Sequence, residues 1–470
     1  MDAKEEGFLR EIRAAPAEDG PRGTYADWLN ERSDPRGEFI NLQLALAKMD
    51  IWDPQRKVLE ALEAKLWKEH HKEWMVQFGA EFGGVSPDLH IFRRGFLDSG
   101  SAYDDARRQA LNQITANPEL IVPLTRLAGA DFAHIYQQPW MQQIRDISLD
   151  TPGIPAEMAI FPNIRKLEVN ISSVAELQSL ARHLPNVESL DIGCDADAAR
   201  IIASLAGGIW KNLRSLDVSV AENCDFGLLA KGSLKEQLHK LKARFSSSFD
   251  SAATQRSLLE ALPGLTALQD LDLRVCYDLR NMQDFADLFQ RLPPGLQSLE
   301  LNAFRAELDI TGIPIKPLSN LKRLAISIDN QSLEFFVGDL FPKLEILEIK
   351  TFDRIDMRPF EDPQSPLRHL RSLFIEEACP SWNVDWRPFI ENMDKLIHLD
   401  LHHPRAERAF REQLDTLREA QKEGPVLMPE LAVLNNKILP KPPRKKTAIT
   451  RAGEGASGLD GATPPGNQLG

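Results

Sequence analysis

Acidic side chains recur through the C-terminal two thirds of this 470-residue chain, each between two large apolar residues that are two positions apart. Seven of eleven such positions hold Asp or Glu: Glu168, Asp191, Asp217, Asp272, Glu300, Glu348 and Asp400. The other four hold Ser148, Lys242, Ala325 and Phe374. Because alternate side chains of a strand point to the same face, these residues are predicted to line one surface. Carboxylates on such a surface attract basic peptides, although an Asp at this position is compatible with any partner.

One motif in this set has the residue types of a metal site. His398, Asp400 and His402 alternate along a predicted strand, so all three face the same side. The two histidines are then about 13 Å apart, whereas zinc ligands lie at about 2.0–2.2 Å, so they do not share one ion. The chain also has no phosphate-binding loop, nucleophile elbow or metalloprotease motif. We therefore predict no catalytic, cofactor-binding or metal-binding residue.

Carboxylates and histidines near the N-terminus have simpler explanations than catalysis. Asp34 precedes a proline and is predicted to cap a helix, and Asp27 and Glu38 have arginines at helical spacing. The adjacent His70 and His71 point about 100° apart on a helix and are predicted to be exposed. No nucleophile completes a catalytic group in this part of the sequence.

The acidic positions belong to a unit of the form L-x-x-L-x-L, which is most regular at Leu344, Leu347 and Ile349. Burying three such side chains contributes roughly 5–8 kcal/mol, less than the cost of ordering a repeat, so the units must stack and share a core. The steps between units match leucine-rich repeats. The unit occurs eleven times, with first residues Ile144, Ile164, Val187, Leu213, Leu238, Leu268, Leu296, Leu321, Leu344, Leu370 and Leu396.

The connections between units differ along the chain. Amphipathic helices are predicted at 174–181, 198–205, 257–262 and 285–292, and they are similar to those of ribonuclease-inhibitor-like repeats. The proline-containing connections 303–320 and 351–369 are predicted to be irregular. The fold class is thus an α/β leucine-rich-repeat solenoid, with a curved parallel β-sheet on the concave face and helices and irregular segments on the convex face.

A small all-α module is predicted to precede this array. Thr24 is the candidate N-cap of its second helix, Asp34 caps the third, and Asp53 precedes a fourth that runs to about Trp74. The residues predicted to face its core are Phe8, Leu9, Ile12, Tyr25, Trp28, Leu29, Phe39, Leu42, Leu46, Met49, Val58, Leu62, Leu66 and Trp67.

Several segments here resemble the bacterial repeat-companion domain, a short module found ahead of leucine-rich and other repeats. The resemblance is carried by Phe8-Leu9, Tyr25-Ala-Asp-Trp-Leu29, Asp34-Pro-Arg-Gly-Glu-Phe39 and the later Phe92-Arg-Arg-Gly-Phe96. It implies a bacterial protein and no activity that transfers to this chain.

The sequence therefore predicts five segments. They are an all-α module at 1–76, a junction and N-terminal cap at 77–140, repeats at 141–403, a C-terminal cap at 404–439 and a disordered tail at 440–470. Residues 89–97 are predicted to be a strand or hairpin that starts the repeat sheet, and 118–138 to be helical. Helical patterning also covers 103–116 and 405–422.

Composition narrows the range of functions. A formal charge of −13 argues against nucleic acid, four scattered cysteines indicate a reducing compartment, and no apolar run is long enough to cross a membrane. We predict a cytoplasmic, non-enzymatic scaffold or adaptor without cofactors, which binds a protein or peptide, with a basic partner as one option, rather than a small molecule. An enzyme with a site in the N-terminal half and a self-associating structural protein are the alternatives. The predicted binding residues are Glu168, Asp191, Asp217, Asp272, Glu300, Ile346, Glu348, Phe374 and Asp400, with Ile346 exposed beside Phe374.

Overall fold

The structure is a computed structural model. It describes residues 3–439 except for the following gaps: 16–17, 50–52, 76–91, 102–104, 117–123, 152–157, 195–196, 221–223, 246–251, 276–281, 304–315, 329–339, 352–356, 363–364, 378–384, 403, 421–425 and 436. The predicted tail at 440–470 lies outside the described residues, as do Cys276, Cys379 and most of the connection at 303–320.

The described chain contains helices and strands that alternate after the first four helices. The helices are α1 Ala3–Ala14, α2 Gly20–Glu31, α3 Pro35–Lys48, α4 Pro54–Met75, α5 Asp105–Ala116, α6 Phe132–Ile135, α7 Val174–His183, α8 Ala198–Ala206, α9 Gly227–Lys231, α10 Ala252–Ala261, α11 Met282–Arg291, α12 Arg358–Glu361, α13 Arg387–Asn392 and α14 Pro404–Ala420. The strands are β1 Phe92–Arg93, β2 Phe96–Leu97, β3 Ser99–Ser101, β4 Arg126–Asp131, β5 Asp146–Thr151, β6 Lys166–Ile171, β7 Ser189–Cys194, β8 Ser215–Val220, β9 Lys240–Phe245, β10 Asp270–Val275, β11 Ser298–Ala303, β12 Arg323–Ile328, β13 Ile346–Thr351, β14 Ser372–Glu377, β15 His398–Leu401, β16 Val433–Leu434 and β17 Lys437–Ile438.

A 15-stranded sheet runs through the array in chain order from β3 to β17. Strands β3 to β16 are parallel, and β17 closes the series as an antiparallel strand. The eleven predicted units correspond to β5 through β15, and each places its second and third large residues in register with those of the next strand, as Leu190 pairs with Leu216 and Ile192 with Val218. These side chains form one continuous buried core along the array. The predicted leucine-rich-repeat solenoid is confirmed.

The parallel sheet begins earlier than the sequence predicts. Strands β3 and β4 extend it beyond the first leucine unit, so the helix predicted across 118–138 is wrong where β4 lies. The predicted strand or hairpin at 89–97 is the hairpin of β1 and β2, but it forms a separate two-stranded sheet. Strands β3 and β4 lack the full leucine spacing, which explains why the sequence does not predict them.

The connecting helices α7, α8, α10 and α11 occupy the four predicted helical connections. Leu177 and Leu180 of α7 pack into the leucine core, so these helices cover the face of the sheet to which the leucines point. Cys194 and Cys224 are buried and free. Within the described residues, no helix combines the length and the apolar character needed to cross a bilayer.

The first three helices form a separate core. Phe8, Leu9, Ile12, Tyr25, Trp28 and Leu29 pack together with Phe96 of the hairpin. Asp34 accepts a hydrogen bond from the Arg36 backbone at 2.8 Å, which confirms it as a cap. The cap predicted at Thr24 is wrong, because α2 begins at Gly20 and Thr24 bonds the Gly20 carbonyl from inside the helix.

The third and fourth helices bury only some of the residues predicted to face the core. In α3, Phe39 and Leu46 are buried, whereas Leu42 and Met49 are only half-buried and Ile40 and Leu44 replace them. In α4, Trp67 is buried and Val58, Leu62 and Leu66 are half-buried. The predicted exposure of the two histidines is wrong: His70 stacks on Trp74, and His71 hydrogen-bonds the Trp67 carbonyl.

Helix α4 contacts both the hairpin and the last strands of the array. Trp67 packs against Phe92 of the hairpin, with 5.1 Å between their ring centroids, and α4 also contacts β15, β16 and β17. A helix of 22 residues is about 33 Å long at 1.5 Å per residue. One helix therefore packs against the hairpin that precedes the array and against the C-terminal strands of the array.

The crossing of α2 and α3 generates a stability prediction. A Cβ at Gly37 would lie 2.6 Å from the Ala26 carbonyl oxygen of α2, so we expect Gly37→Ala to destabilise the protein by about 1–3 kcal/mol. Gly23 is the matched control, because a Cβ there meets nothing within 4 Å, and Gly23→Ala should be neutral or stabilising by up to about 1 kcal/mol. Urea unfolding of both variants tests this, and an equal effect in the two would contradict the close crossing.

Candidate functional site

The strand positions that alternate with the leucines form one surface, which we call the open face. It contains all seven predicted acidic residues in a single row across β6 to β15. Exposure of the open-face residues varies along the array. On β6 the open-face residues Lys166, Glu168 and Asn170 are all exposed, whereas Asp272 of β10 and Asp400 of β15 are only 7% and 6% exposed.

Two cations of β9 neutralise the central acidic residues. Arg244 lies 2.8 Å from Asp191 and 2.9 Å from Asp217, each measured from Nη2 to a carboxylate oxygen. Lys242 lies 3.0 Å from Asp272 and 3.8 Å from Asp217. Strands β7 to β10 are therefore linked across the open face by one continuous set of ion pairs.

Asp217 stands at the centre of this set. Its partial burial and the neighbouring Asp191 carboxylate raise the pKa of Asp217 to about 6, although Arg244 and Lys242 act in the opposite direction. Burial, followed by the charge of Glu300, also raises the pKa of Asp272. A carboxylate with a raised pKa is less stable when ionised in the folded state, so this part of the face depends on its cations most strongly above pH 6.

A second set of ion pairs is centred on Arg323 of β12. Its guanidinium lies 3.0 Å from Glu300 of β11 and 3.0 Å from Glu348 of β13. Burial acts to raise the pKa of Glu300, but Arg323 outweighs it and lowers that pKa. Despite its burial, the two carboxylates raise the pKa of Arg323, so the positive charge is held firmly in place.

The acidic row is predicted from the sequence, but the cations that pair with it are not. These cations are Lys242, Arg244 and Arg323. The alternation of side chains along the strands could have identified these cations. Arg244 follows Lys242 by two positions and Arg323 precedes Ala325 by two. Residues at that spacing share the open face with the acidic row.

The apolar spot predicted at Ile346 and Phe374 is wrong in one of its two members. Ile346 is on the open face but only 7% exposed. Its neighbours in register are Arg323 and Ser372, and Arg323 also bonds Glu348, two positions after Ile346. Phe374 remains half-buried beside Lys350, whose Nζ lies 5.9 Å from the ring centroid.

The C-terminal end of the open face is covered. His398 is 2% exposed, and its Nδ1 lies 2.8 Å from the Ser372 hydroxyl. Burial, with a smaller contribution from the charge of Lys57 in α4, lowers the pKa of His398 to about 4. His402 is exposed and lies against Phe374. A search of the described residues finds no three His, Cys, Asp or Glu side chains that could hold a metal ion together.

Comparisons with known proteins give similarity only at the level of solved structures. No family model and no curated protein matches the chain. A leucine-rich-repeat protein of Leptospira interrogans is similar at 14% identity over 71% of this chain and 75% of its own, with a TM-score of 0.33. The yeast Rad7–Elc1 complex is similar at 16% identity over 76% of this chain and 89% of its own, with a TM-score of 0.38.

These TM-scores are low, so the assignment of leucine-rich repeats rests on the strand register and the leucine spacing of the chain itself. The all-helical character of the N-terminal module is likewise observed directly. Its resemblance to the repeat-companion domain stays a prediction.

The ion pairs of β7 to β9 predict a pH-dependent stability. We expect Arg244→Met to lose about 1–2 kcal/mol of unfolding free energy at pH 8, because Asp191 and Asp217 would then repel without a cation between them. The loss should be smaller at pH 5, below the pKa of Asp217, where that carboxyl is protonated in the folded state. Urea unfolding at both pH values measures the difference.

Arg274→Met is the matched control. Arg274 is on the neighbouring strand, is about half exposed and lies 4.0 Å from Asp272. We expect it to change stability by no more than about 0.5 kcal/mol at either pH. If Arg244→Met lost the same free energy at pH 5 as at pH 8, the proposed repulsion would not be the cause.

Proposed function

We propose that this chain is a non-enzymatic interaction scaffold that binds a protein or peptide on the open face. The observation that carries the proposal is a continuous strand surface from β5 to β12, whose polar side chains are mostly exposed or half-exposed and are fixed by ion pairs. Fixed side chains lose little entropy on binding, which favours recognition of a partner. A curved repeat sheet provides the area that a protein interface needs.

The accessible members of the predicted set are the direct contacts in this proposal. Glu168 is exposed, and Asp191, Asp217, Glu300, Glu348 and Phe374 are half-exposed. The buried residues Asp272, Ile346 and Asp400 hold this surface in place rather than meeting a partner directly. Because Arg244, Lys242 and Arg323 already contact five of the seven acidic residues, a basic group of the partner would bind best near the exposed Glu168.

The N-terminal module gives the scaffold a second surface, which is the adaptor form of the proposal. Its core is separate from the leucine core. The surface of the module would therefore remain available while the open face is occupied. The buried free thiols of Cys194 and Cys224 support a reducing compartment, and we propose the cytoplasm of a bacterial cell.

Affinity capture with a charge-reversed open face tests this function. Glu168→Lys with Asn170→Lys adds two cations at exposed positions of β6 that are outside both sets of ion pairs. We expect the partner captured by the wild-type chain to bind the variant at least about tenfold more weakly, as measured by calorimetry with the purified partner.

The matched control is Glu419→Lys, at an exposed position of α14 away from the sheet. It should bind the partner with unchanged affinity. A partner that binds the open-face variant and the wild type equally well would contradict the open face as the binding surface, and capture of no partner by the wild-type chain would contradict the scaffold itself.

A further inference from the structure

A polar cleft lies between the N-terminal module and the first strands of the array. It has a volume of about 770 Å³, which is in the range of small-molecule sites. One wall comes from α3 and α4 and includes Arg56, Glu60 and Glu63. The opposite wall is basic and consists of Arg93, Arg94 and Arg126. The cleft adjoins the N-terminal end of the open face, because Arg93 and Arg126 both approach Asp146 of β5.

Two arginines of the basic wall, the exposed Arg93 and the half-buried Arg126, have an incomplete set of partners. Arg93 and Arg126 approach the same Asp146 oxygen at 3.7 Å and 3.6 Å, distances beyond a good hydrogen bond. Among the described residues, neither guanidinium donates a hydrogen bond to a protein acceptor. Their separation around one oxygen shows that a single oxyanion fits between them.

The carboxylates of the other wall are already engaged. Glu60 pairs with Arg56 at 2.8 Å and with Lys57 at 3.2 Å, and Glu63 accepts a hydrogen bond from Gln43 at 2.7 Å. They therefore do not compete for Arg93 and Arg126 across the cleft. The groups of the cleft that can still bind a ligand are Arg93 and Arg126, and their charge favours an anion.

The hairpin that carries Arg93 and Arg94 of the basic wall is held in place by several close contacts. Gln43 of α3 accepts from the Gly95 backbone at 2.7 Å and donates to the Phe92 carbonyl at 3.2 Å. Gly95 packs so closely on Ile40 that a Cβ there would clash. The turn residue Arg94 has φ +50°, a conformation that Asn or Gly adopts more readily, and its side chain reaches Asp19 at 3.3 Å. A preorganised wall binds a ligand without the cost of ordering it.

The positive charge at this hairpin is not fully compensated. Burial and then the charge of Arg126 lower the pKa of Arg93. Burial and then the charge of Arg94 lower the pKa of Arg22, which lies behind the hairpin, to about 10. The nearest buried acid, Asp98, has a pKa raised by burial, which weakens it as a counter-charge. An anion bound at this hairpin would offset the repulsion between the neighbouring arginines.

We propose that this cleft binds the oxyanion group of a small molecule, a phosphate or a carboxylate, between Arg93 and Arg126. The ligand displaces Asp146 as the shared acceptor and forms the hydrogen bonds that Asp146 is too distant to make. The rest of the ligand occupies the cleft toward Arg56 and Leu46.

Calorimetric titration of the full-length protein at constant ionic strength tests this site. The probes are pyrophosphate and citrate, with sodium chloride as the non-specific salt. We expect saturable binding of at least one probe, and the stronger one identifies the ligand group as phosphate or carboxylate. Arg93→Gln with Arg126→Gln should weaken that binding at least about tenfold, as expected for the loss of charged hydrogen bonds.

Asp146→Asn is expected to increase the affinity for the probe, and misfolding of the variant would not produce such an increase. It removes the carboxylate that competes with the ligand, so we expect the same probe to bind several-fold more tightly. Arg274→Gln, an exposed arginine elsewhere on the sheet, should leave binding unchanged. The proposal is overturned if neither probe binds saturably, if the double arginine variant binds as the wild type does, or if Asp146→Asn weakens binding.

Discussion

The structure depends on the fact that no single repeat buries enough apolar surface to fold alone. Three large residues per unit contribute roughly 5–8 kcal/mol, which is less than the entropy lost by some 25 ordered residues. Each strand therefore needs its neighbours, and the requirement is met by placing leucine on leucine in register, as from Leu167 to Leu190 to Leu216. This register also determines every position on the opposite face of the sheet.

Strand spacing has an electrostatic consequence on that face. Adjacent strands are about 4.8 Å apart, so a row of acidic residues brings like charges into contact range. The chain places Arg244 between Asp191 and Asp217, and Arg323 between Glu300 and Glu348. What looks in the sequence like a surplus of negative charge is largely paired, and recognition must then come from the geometry of the surface as much as from its charge.

The sequence predicts those features that depend on local spacing. The eleven units, the four connecting helices and the Asp34 cap could all be located because each has its signal within a few residues. Strand β4 could not, because Leu127 is followed by Ala, Gly and Ala rather than by further large residues. The burial of Ile346 and the proximity of Lys57 to His398 depend on residues far away in the sequence, and no local pattern reports them.

Helix α4 links the N-terminal module to two distant parts of the chain. It packs through Trp67 on the hairpin that precedes β3 and also contacts the last three strands of the array. The same packing brings α3 and α4 against the arginine-rich hairpin and creates the cleft beside it. The module thus contacts the C-terminal end of the array and also provides one wall of the proposed anion site, which is chemically different from the open face.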